Sequence, residues 1–249
     1  MLPVRIDLVP TAEEIRPQDL AGRTAVVFDV LRATSTMVTA LSHGCRGVIP
    51  VETVGEAREL AARLAAKGEP VILAGERGGL KVQDFPCGNS PLEFSPEAVG
   101  GRWLVLTTSN GTRAICRAAE AAGRVLVGSL LNAGAVAGEL MKGDGDVVLI
   151  CAGSGGSFSL EDALAAGVVI AEMGVKDPSC LSDLAVAALH LARAYAEDFF
   201  AAFTHSRHGR KLLHLGREAD LRWCARKDAY AVVPAVKKGN GFWLVQIDW

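Results

Sequence analysis

A carboxylate, a guanidinium and three hydroxyls follow one another at the end of an apolar run near residue 28. The run covers residues 24–28, and the polar residues after it are Asp29, Arg32, Thr34, Ser35 and Thr36. A continuous hydrophobic run is typical of a buried strand in a parallel sheet, and open α/β folds bind ligands at the carboxyl ends of such strands. Carboxylate oxygens suit a hard cation, and a guanidinium suits an anion. This segment therefore predicts phosphate chemistry.

Two later segments repeat the order of apolar run, polar loop and helical pattern, at residues 103–122 and 147–173. The candidate anion-binding residues in their loops are Ser109, Asn110, Gly111, Thr112, Ser154 and Gly155. A helix N-terminus leaves backbone N–H groups unpaired and favours anions. Ordinary N-capping by Ser, Thr and Asn is the alternative. Because three such loops each follow an apolar run, the pattern favours one shared anion site.

The carboxylates beside these loops have more than one role open to them. Asp29 is a candidate Mg²⁺ ligand or a nucleophile that forms an acyl phosphate, and an ion pair with Arg32 is its structural alternative. Glu76 follows another apolar run, at residues 71–74. Glu161 and Asp162 stand in the first turn of a predicted helix, where they either bind a metal or complement the helix dipole.

The cations and amides near the loops complete the set of candidates. Three arginines, Arg32, Arg77 and Arg113, each lie beside a glycine- or hydroxyl-rich loop. The planar guanidinium suits phosphate, sulfonate or carboxylate, and a solvated surface charge is the alternative. Asn89 belongs to a polar stretch at residues 81–96 that is too irregular for regular structure and too long for a turn. His208 lies in a predicted polar turn at residues 206–210 and is interpreted as a surface residue.

Composition excludes several classes of function. The 249 residues carry a formal net charge of −2, which argues against nucleic-acid binding because that needs a basic field. No run approaches the roughly 20 apolar residues that span a membrane, and we expect a soluble, cytoplasmic protein without membrane contact. The six cysteines show no CxxC spacing, so we expect free thiols. Aspartyl phosphatases carry a second Asp at the position of Leu31, and cysteine phosphatases carry an Arg at the position of Ser157. The sequence therefore disfavours both of these phosphatase classes.

The fold expected from this pattern is a layered α/β/α architecture built from repeated strand–polar loop–helix units. Strands that alternate with helices indicate parallel βαβ units and a mainly parallel sheet. The C-terminal third, after about residue 176, is predicted to be helical, with a helical stretch at residues 181–203. A tail strand at residues 242–247 is interpreted as a sheet edge or a subunit contact, which is compatible with a homodimer. We expect one domain over residues 1–249, with a division into two α/β subdomains near residues 95–105 as the alternative.

Six short motifs, taken in order, closely resemble the 2-phosphosulfolactate phosphatase family of coenzyme M biosynthesis. The matching runs are residues 28–36, 74–79, 88–91, 107–112, 128–133 and 151–153 with 158–162. Weaker similarity at residues 206–209 and 233–234 extends the resemblance over nearly the whole chain. The resemblance implies a Mg²⁺-dependent phosphatase that converts 2-phosphosulfolactate to 3-sulfolactate and phosphate, on an α/β fold of its own.

The candidate residues are assigned roles that fit this implication. The predicted catalytic residues are Asp29, Arg32, Asn110 and Glu161, and the predicted metal ligands are Asp29, Glu76 and Asp162. The predicted substrate-binding residues are Thr34, Ser35, Thr36, Arg77, Asn89, Ser109, Gly111, Thr112, Ser154 and Gly155. Direct attack by metal-bound water is preferred over a phosphorylated Asp29. Two other functions stay open: a magnesium phosphatase of another phosphorylated hydroxy acid, and a non-catalytic binder of anionic metabolites. The clustered carboxylates speak against the binder.

Overall fold

The strands of the chain form one large sheet in which most neighbours run parallel. The computed structural model describes residues 5–247. Its strands are β1 (Ile6–Val9), β2 (Thr24–Phe28), β3 (Gly47–Pro50), β4 (Val71–Arg77), β5 (Leu80–Lys81), β6 (Trp103–Thr107), β7 (Arg124–Gly128), β8 (Val147–Cys151), β9 (Pro234–Lys238) and β10 (Trp243–Ile247). Their order across the sheet is β1-β8-β2-β7-β9-β10-β3-β6-β4-β5. The prediction of a mainly parallel sheet is confirmed.

Helices follow most of the strands, as the strand–loop–helix pattern predicts. They are α1 (Pro17–Leu20), α2 (Ala33–Ser42), α3 (Val54–Ala65), α4 (Pro96–Val99), α5 (Gly111–Ala121), α6 (Ala133–Leu140), α7 (Leu160–Glu172), α8 (Asp183–Ala194), α9 (Phe199–His205), α10 (Arg207–His214) and α11 (Glu218–Cys224). The predicted helical stretch at residues 181–203 divides into α8 and α9, because Asp198 caps α9 by accepting a hydrogen bond from the backbone N–H of Ala201 at 3.0 Å. Over residues 5–247, no helix combines the length and the apolar character needed to cross a lipid bilayer.

A C-terminal hairpin joins two groups of parallel strands. The first group is β1, β8, β2 and β7, and the second is β3, β6 and β4. Strand β9 pairs antiparallel with β7, and β10 pairs antiparallel with β3 at Val245 and Val48. The prediction that the tail strand forms a sheet edge is wrong, because β10 has a paired strand on each side and Val245 is buried. The homodimer stays a prediction and loses this support.

Helices α2 and α5 lie between the two strand groups. One buried cluster contains Val27 of β2, Met37 of α2, Leu106 of β6 and Ile115 of α5. Helices α6 to α11 cover the other face of the first group, and α3 covers the other face of the second. The layered α/β/α architecture is confirmed, whereas the single domain and its alternative division near residues 95–105 stay predictions. Both groups turn one face toward the same two helices, so the loops before those helices come together.

Helix α10 packs tightly against the end of α9. The residues predicted as a polar turn at 206–210 instead begin this helix, and Ser206 caps it by accepting a hydrogen bond from the backbone N–H of Gly209 at 2.9 Å. A Cβ at Gly209 would overlap the carbonyl oxygen of Phe203. Leu212 is fully buried one turn later. The close approach fixes the direction in which the first turn of α10 faces.

Replacing Gly209 tests how much stability depends on this approach. We expect Gly209→Ala to lower the free energy of unfolding by about 1–3 kcal/mol, because the added methyl forces α9 and α10 apart. The matched control is Gly138→Ala in α6, where a Cβ meets nothing within 4 Å. There the same change should raise the free energy of unfolding by up to about 1 kcal/mol. Urea unfolding measures both, and equal effects would contradict the tight packing.

Candidate active site

A polar cleft lies where the carboxyl ends of both strand groups meet. Its volume is about 690 Å³, and loops after β2, β4, β6 and β8 line it together with α10. The predicted site residues that line it are Asp29, Arg32, Glu76, Asn89, Ser109, Asn110, Ser154 and Gly155. The predicted site residues that do not line it are Thr34, Ser35, Thr36, Arg77, Gly111, Thr112, Glu161 and Asp162. The structure thus brings half of the predicted set to one cleft.

Asp29 is held at the N-termini of two helices. Its Oδ1 accepts a hydrogen bond at 3.3 Å from the backbone N–H of Ala33, the first residue of α2. The backbone N–H of Gly111, the first residue of α5, also donates to this carboxylate. A Cβ at Gly111 would lie 2.5 Å from Asp29 Oδ2, so glycine is required for this approach. Helix N-termini favour negative charge, and here two of them bind a carboxylate of the chain itself.

The pKa of Asp29 reflects both burial and its charged neighbours. The pKa of this carboxyl is raised from 3.8 to about 7, mostly by burial, with further increases from the charges of Glu76 and Glu161. The N–H groups of Ala33 and Gly111 act in the opposite direction. An added cation near these carboxylates would favour their charged forms, because opposite charge stabilises a carboxylate.

Glu76 ties the second strand group to the cleft. One of its carboxylate oxygens accepts a hydrogen bond from the backbone N–H of Gly79 at 2.7 Å, and the other accepts one from Ser109 at 2.7 Å. The side chain is buried and lines the cleft. Glu76 therefore joins the turn after β4 to the loop after β6 and still presents its carboxylate to the cleft.

Asp162 and Glu161 lie behind the cleft at the start of α7. Asp162 accepts hydrogen bonds from the backbone N–H groups of Val30, at 2.8 Å, and Gly153, at 3.2 Å, so it ties together the loops after β2 and β8. Burial, together with the charges of Asp29 and Glu161, holds the pKa of Asp162 well above its usual range. Burial also raises the pKa of Glu161. Asp162 thus holds the loop that carries Asp29, whereas Glu161 forms hydrogen bonds with Ser206 and Ser159.

The predicted phosphate-binding hydroxyls are used inside the loops. The Oγ1 of Thr34 accepts a hydrogen bond from the backbone N–H of Asp29 at 3.1 Å. Ser35 donates to the carbonyl of Val30 at 2.8 Å, and Thr36 donates to the carbonyl of Asn89 at 3.0 Å. All three hydroxyl side chains are fully buried. The alternative of local capping and loop bonds therefore describes these hydroxyls in the structure.

Arg32 lines the cleft and is fixed by a buried ion pair. Its guanidinium donates to Asp220 of α11 at 2.5 Å and to the carbonyl of Gly79 at 3.1 Å. Ser90 donates to the other oxygen of Asp220 at 2.5 Å. The side chains of Arg32 and Asp220 are each only 4% exposed. Asp29 thus has no ion pair with Arg32, and Asp220 supplies that partner from far along the chain.

The remaining arginines near the loops differ in where they point. Arg77 donates to the carbonyl of Glu52 at 2.9 Å and to the hydroxyl of Thr107 at 2.9 Å, outside the cleft. Arg113 lines the cleft and pairs with Glu13. The structure therefore places Arg113, rather than Arg77, beside the residues around Asp29.

Asn89 presents a buried acceptor atom to the cleft. Its Oδ1 is buried without a hydrogen-bond partner, and the residue lines the cleft. Over residues 5–247, no three His, Cys, Asp or Glu side chains already form a metal-binding group. Mg²⁺, however, commonly takes one or two carboxylates and completes its shell with substrate phosphate and water. The carboxylates of Asp29 and Glu76 and the unpartnered amide oxygen of Asn89 fit that donor set.

Helix α10 brings three basic side chains that the sequence analysis did not assign to the site. Arg207, His208 and Lys211 line the cleft. Burial lowers the pKa of His208; the charge of Glu76 raises it, and those of Lys211 and Arg32 lower it. The interpretation of His208 as an ordinary surface residue is wrong, because it is largely covered and faces the cleft. The sequence does contain a signal for this helix, because Ser206 is a favourable N-cap residue. The four-residue spacing of Arg207 and Lys211 would place both cations on one face of that helix.

The fold and the cleft define an α/β protein that gathers carboxylates, cations and amides around one polar cleft. The chain belongs to the 2-phosphosulpholactate phosphatase family, a family of phosphoric monoester hydrolases, because the family model matches residues 9–239. The resemblance drawn from the six motifs is thereby confirmed.

Named relatives agree with this family. The chain is 38% identical over 238 residues to a probable 2-phosphosulfolactate phosphatase of Clostridium acetobutylicum, covering 95% of this chain and 99% of that protein. It is 39% identical over 240 residues to a protein of the same name from Clostridium tetani, with 95% and 99% covered. A protein of that name from Thermotoga maritima is 43% identical over 219 residues, with 87% and 90% covered.

Replacing Asp220 tests how much the stability of the protein depends on its buried ion pair with Arg32. We expect Asp220→Asn to lower the free energy of unfolding by about 3 kcal/mol, because it leaves the Arg32 guanidinium buried without its counter-charge. The matched control is Glu218→Gln on the same helix, which breaks an exposed ion pair with Arg222 and should cost about 0.5 kcal/mol or less. Guanidinium unfolding separates the two, and similar small losses would show that the buried pair is dispensable.

Proposed function

We propose that this protein is a Mg²⁺-dependent phosphatase that hydrolyses 2-phosphosulfolactate to 3-sulfolactate and phosphate. The observation that carries the proposal is the cleft itself, where Asp29, Glu76 and the unpartnered oxygen of Asn89 face a rim of basic side chains. A site for an anion alone gains nothing from buried carboxylates, whereas a site for a cation and a phosphate needs both signs of charge. A cytoplasmic role in coenzyme M biosynthesis belongs to the same proposal.

Asp29, Glu76 and Asn89 are the residues that would hold Mg²⁺. When bound, the ion supplies Lewis-acid stabilisation of negative charge on the transferring phosphoryl group. Each of the two carboxylates already accepts hydrogen bonds from backbone N–H groups, which orient its oxygens. Asp162, unlike Glu76, does not line the cleft, and its part is to hold the loop that carries Asp29 through the backbone N–H group of Val30.

Arg32 is proposed to bind the phosphoryl group. Asp220 and the carbonyl of Gly79 fix its guanidinium before substrate arrives, so little side-chain freedom is lost on binding. Asn110 and Ser154, which also line the cleft, offer polar groups to the phosphoryl oxygens. Fixed dipoles and charges of this kind stabilise the transition state without having to reorganise during the reaction.

His208 is better placed than Glu161 to move a proton. Glu161 is buried and does not line the cleft, whereas His208 does. Burial lowers the pKa of His208, so its imidazole is neutral near pH 7 and able to accept a proton from attacking water. Direct attack by water remains preferred over a phosphorylated Asp29, whose carboxylate is already bound by the N-termini of α2 and α5.

Phosphate release tests the proposal. We expect turnover of racemic 2-phosphosulfolactate with Mg²⁺, loss of turnover in EDTA and slower release from 2-phospholactate and phosphoglycerate. Asp29→Asn should reduce kcat by at least about 10³-fold, because a main ligand of the ion is gone. The assay measures released phosphate, and circular dichroism checks that the variant is folded.

The control is Asp19→Asn on α1, a carboxyl that does not line the cleft. It should keep wild-type turnover. Release from the other phosphoesters alone would retain a phosphatase of phosphorylated hydroxy acids and remove the sulfolactate assignment. No release from any of them with Mg²⁺ present would leave a non-catalytic binder of anionic metabolites as the better account.

A further inference from the structure

Helix α10 presents two cations to the cleft on one of its faces. Arg207 and Lys211 are four residues apart, so their side chains lie one above the other on the helix. Both line the cleft. The close packing of Gly209 against Phe203 and the burial of Leu212 fix the orientation of the helix, so that Arg207 and Lys211 lie at the mouth of the cleft as exposed side chains.

The other arginines of the cleft already have anionic partners. Arg32 pairs with Asp220, and Arg113 pairs with Glu13. Within residues 5–247, neither Arg207 nor Lys211 forms an ion pair or a side-chain hydrogen bond. Two positive charges at the cleft are therefore left for a ligand.

Lys211 approaches the turn after β4, which also lines the cleft. Its Nζ lies 3.7 Å from the position that a Cβ on Gly78 would occupy. Gly78 belongs to the turn that follows Glu76, and the same turn supplies the carbonyl of Gly79 that binds Arg32. Lys211 therefore lies beside this turn, whereas the carboxylate of Asp29 is bound at the N-termini of α2 and α5.

We infer that Arg207 and Lys211 form a second anion subsite, which binds the sulfonate of the substrate while the Asp29 and Arg32 side of the cleft binds its phosphate. The inference rests on the proposed function, because it assigns one group of the proposed substrate. A sulfonate is fully ionised at neutral pH and offers three acceptor oxygens. Lys and Arg bind such groups through charge-assisted hydrogen bonds.

The test compares two substrates that differ by the sulfonate. We expect the double variant Arg207→Gln with Lys211→Gln to lower the ratio of kcat/KM for 2-phosphosulfolactate to that for 2-phospholactate by about tenfold, a change of about 1.4 kcal/mol. The loss should appear mainly in KM, since the sulfonate is remote from the reacting phosphorus. Arg207→Lys keeps the charge and should retain most of the ratio.

The matched control is Arg210→Gln, on the same helix. Arg210 donates to the carbonyl of His205 and does not line the cleft, so its loss should leave the ratio at the wild-type value. An unchanged ratio in the double variant would overturn the inference. An equal loss for both substrates would also overturn it, because the cations would then serve the phosphate or the carboxylate.

Binding of the product separates this inference from the proposed function. Isothermal titration calorimetry in EDTA measures the Kd of 3-sulfolactate and of lactate without any turnover. The wild type should bind 3-sulfolactate more tightly than lactate, and the double variant should lose that preference. If no phosphoester is hydrolysed while this preference persists and depends on Arg207 and Lys211, the subsite stands and the phosphatase proposal falls. A preference that survives in the double variant would overturn the subsite.

Discussion

The carboxylate of Asp29, bound at the N-termini of α2 and α5, is the interaction on which the rest of the site depends. Helix α2 follows a strand of the first group and α5 follows a strand of the second, and both lie between the groups. Binding one carboxylate at both helix ends joins the two halves of the sheet, and it is possible only because Gly111 has no side chain. Burial of the carboxylate near the charges of Glu76 and Glu161 has an electrostatic cost, and the pKa of Asp29 is accordingly raised to about 7. A divalent cation at the cleft would offset that cost.

The distribution of charge explains how a protein with a net charge of −2 provides a site for an anionic substrate. Internal pairing neutralises part of the cleft, since Arg32 is held by Asp220 and Arg113 by Glu13. These pairs fix the guanidinium groups in place. The charges left over are of both signs, the carboxylates of Asp29 and Glu76 and the cations of α10. Such a combination suits a ligand that needs a cation at one end and has a separate anionic group at the other.

The sequence predicted the strand–loop–helix units and the loops that carry Asp29 and Glu76, because the local pattern determines them. It could not distinguish a phosphate-binding hydroxyl from one that bonds within its loop, because Thr34 has the same residue type in either case. The pairing of Arg32 with Asp220 spans 188 residues and follows only from tertiary packing. The polar composition of the residues around His208 favoured a turn in the sequence analysis, whereas these residues begin α10 in the structure. The interior position of the tail strand likewise depends on long-range pairing with β3.

The position of a bound metal ion tests most directly whether Asp29 is a metal ligand. Crystals grown with Mn²⁺ in place of Mg²⁺ would locate the ion by its anomalous scattering. We expect a peak in the cleft within about 2.0–2.4 Å of an oxygen of Asp29, with Glu76 or Asn89 as a further ligand. A peak on Glu161 and Asp162 behind the cleft, or Mn²⁺ bound with no contact to Asp29, would contradict it.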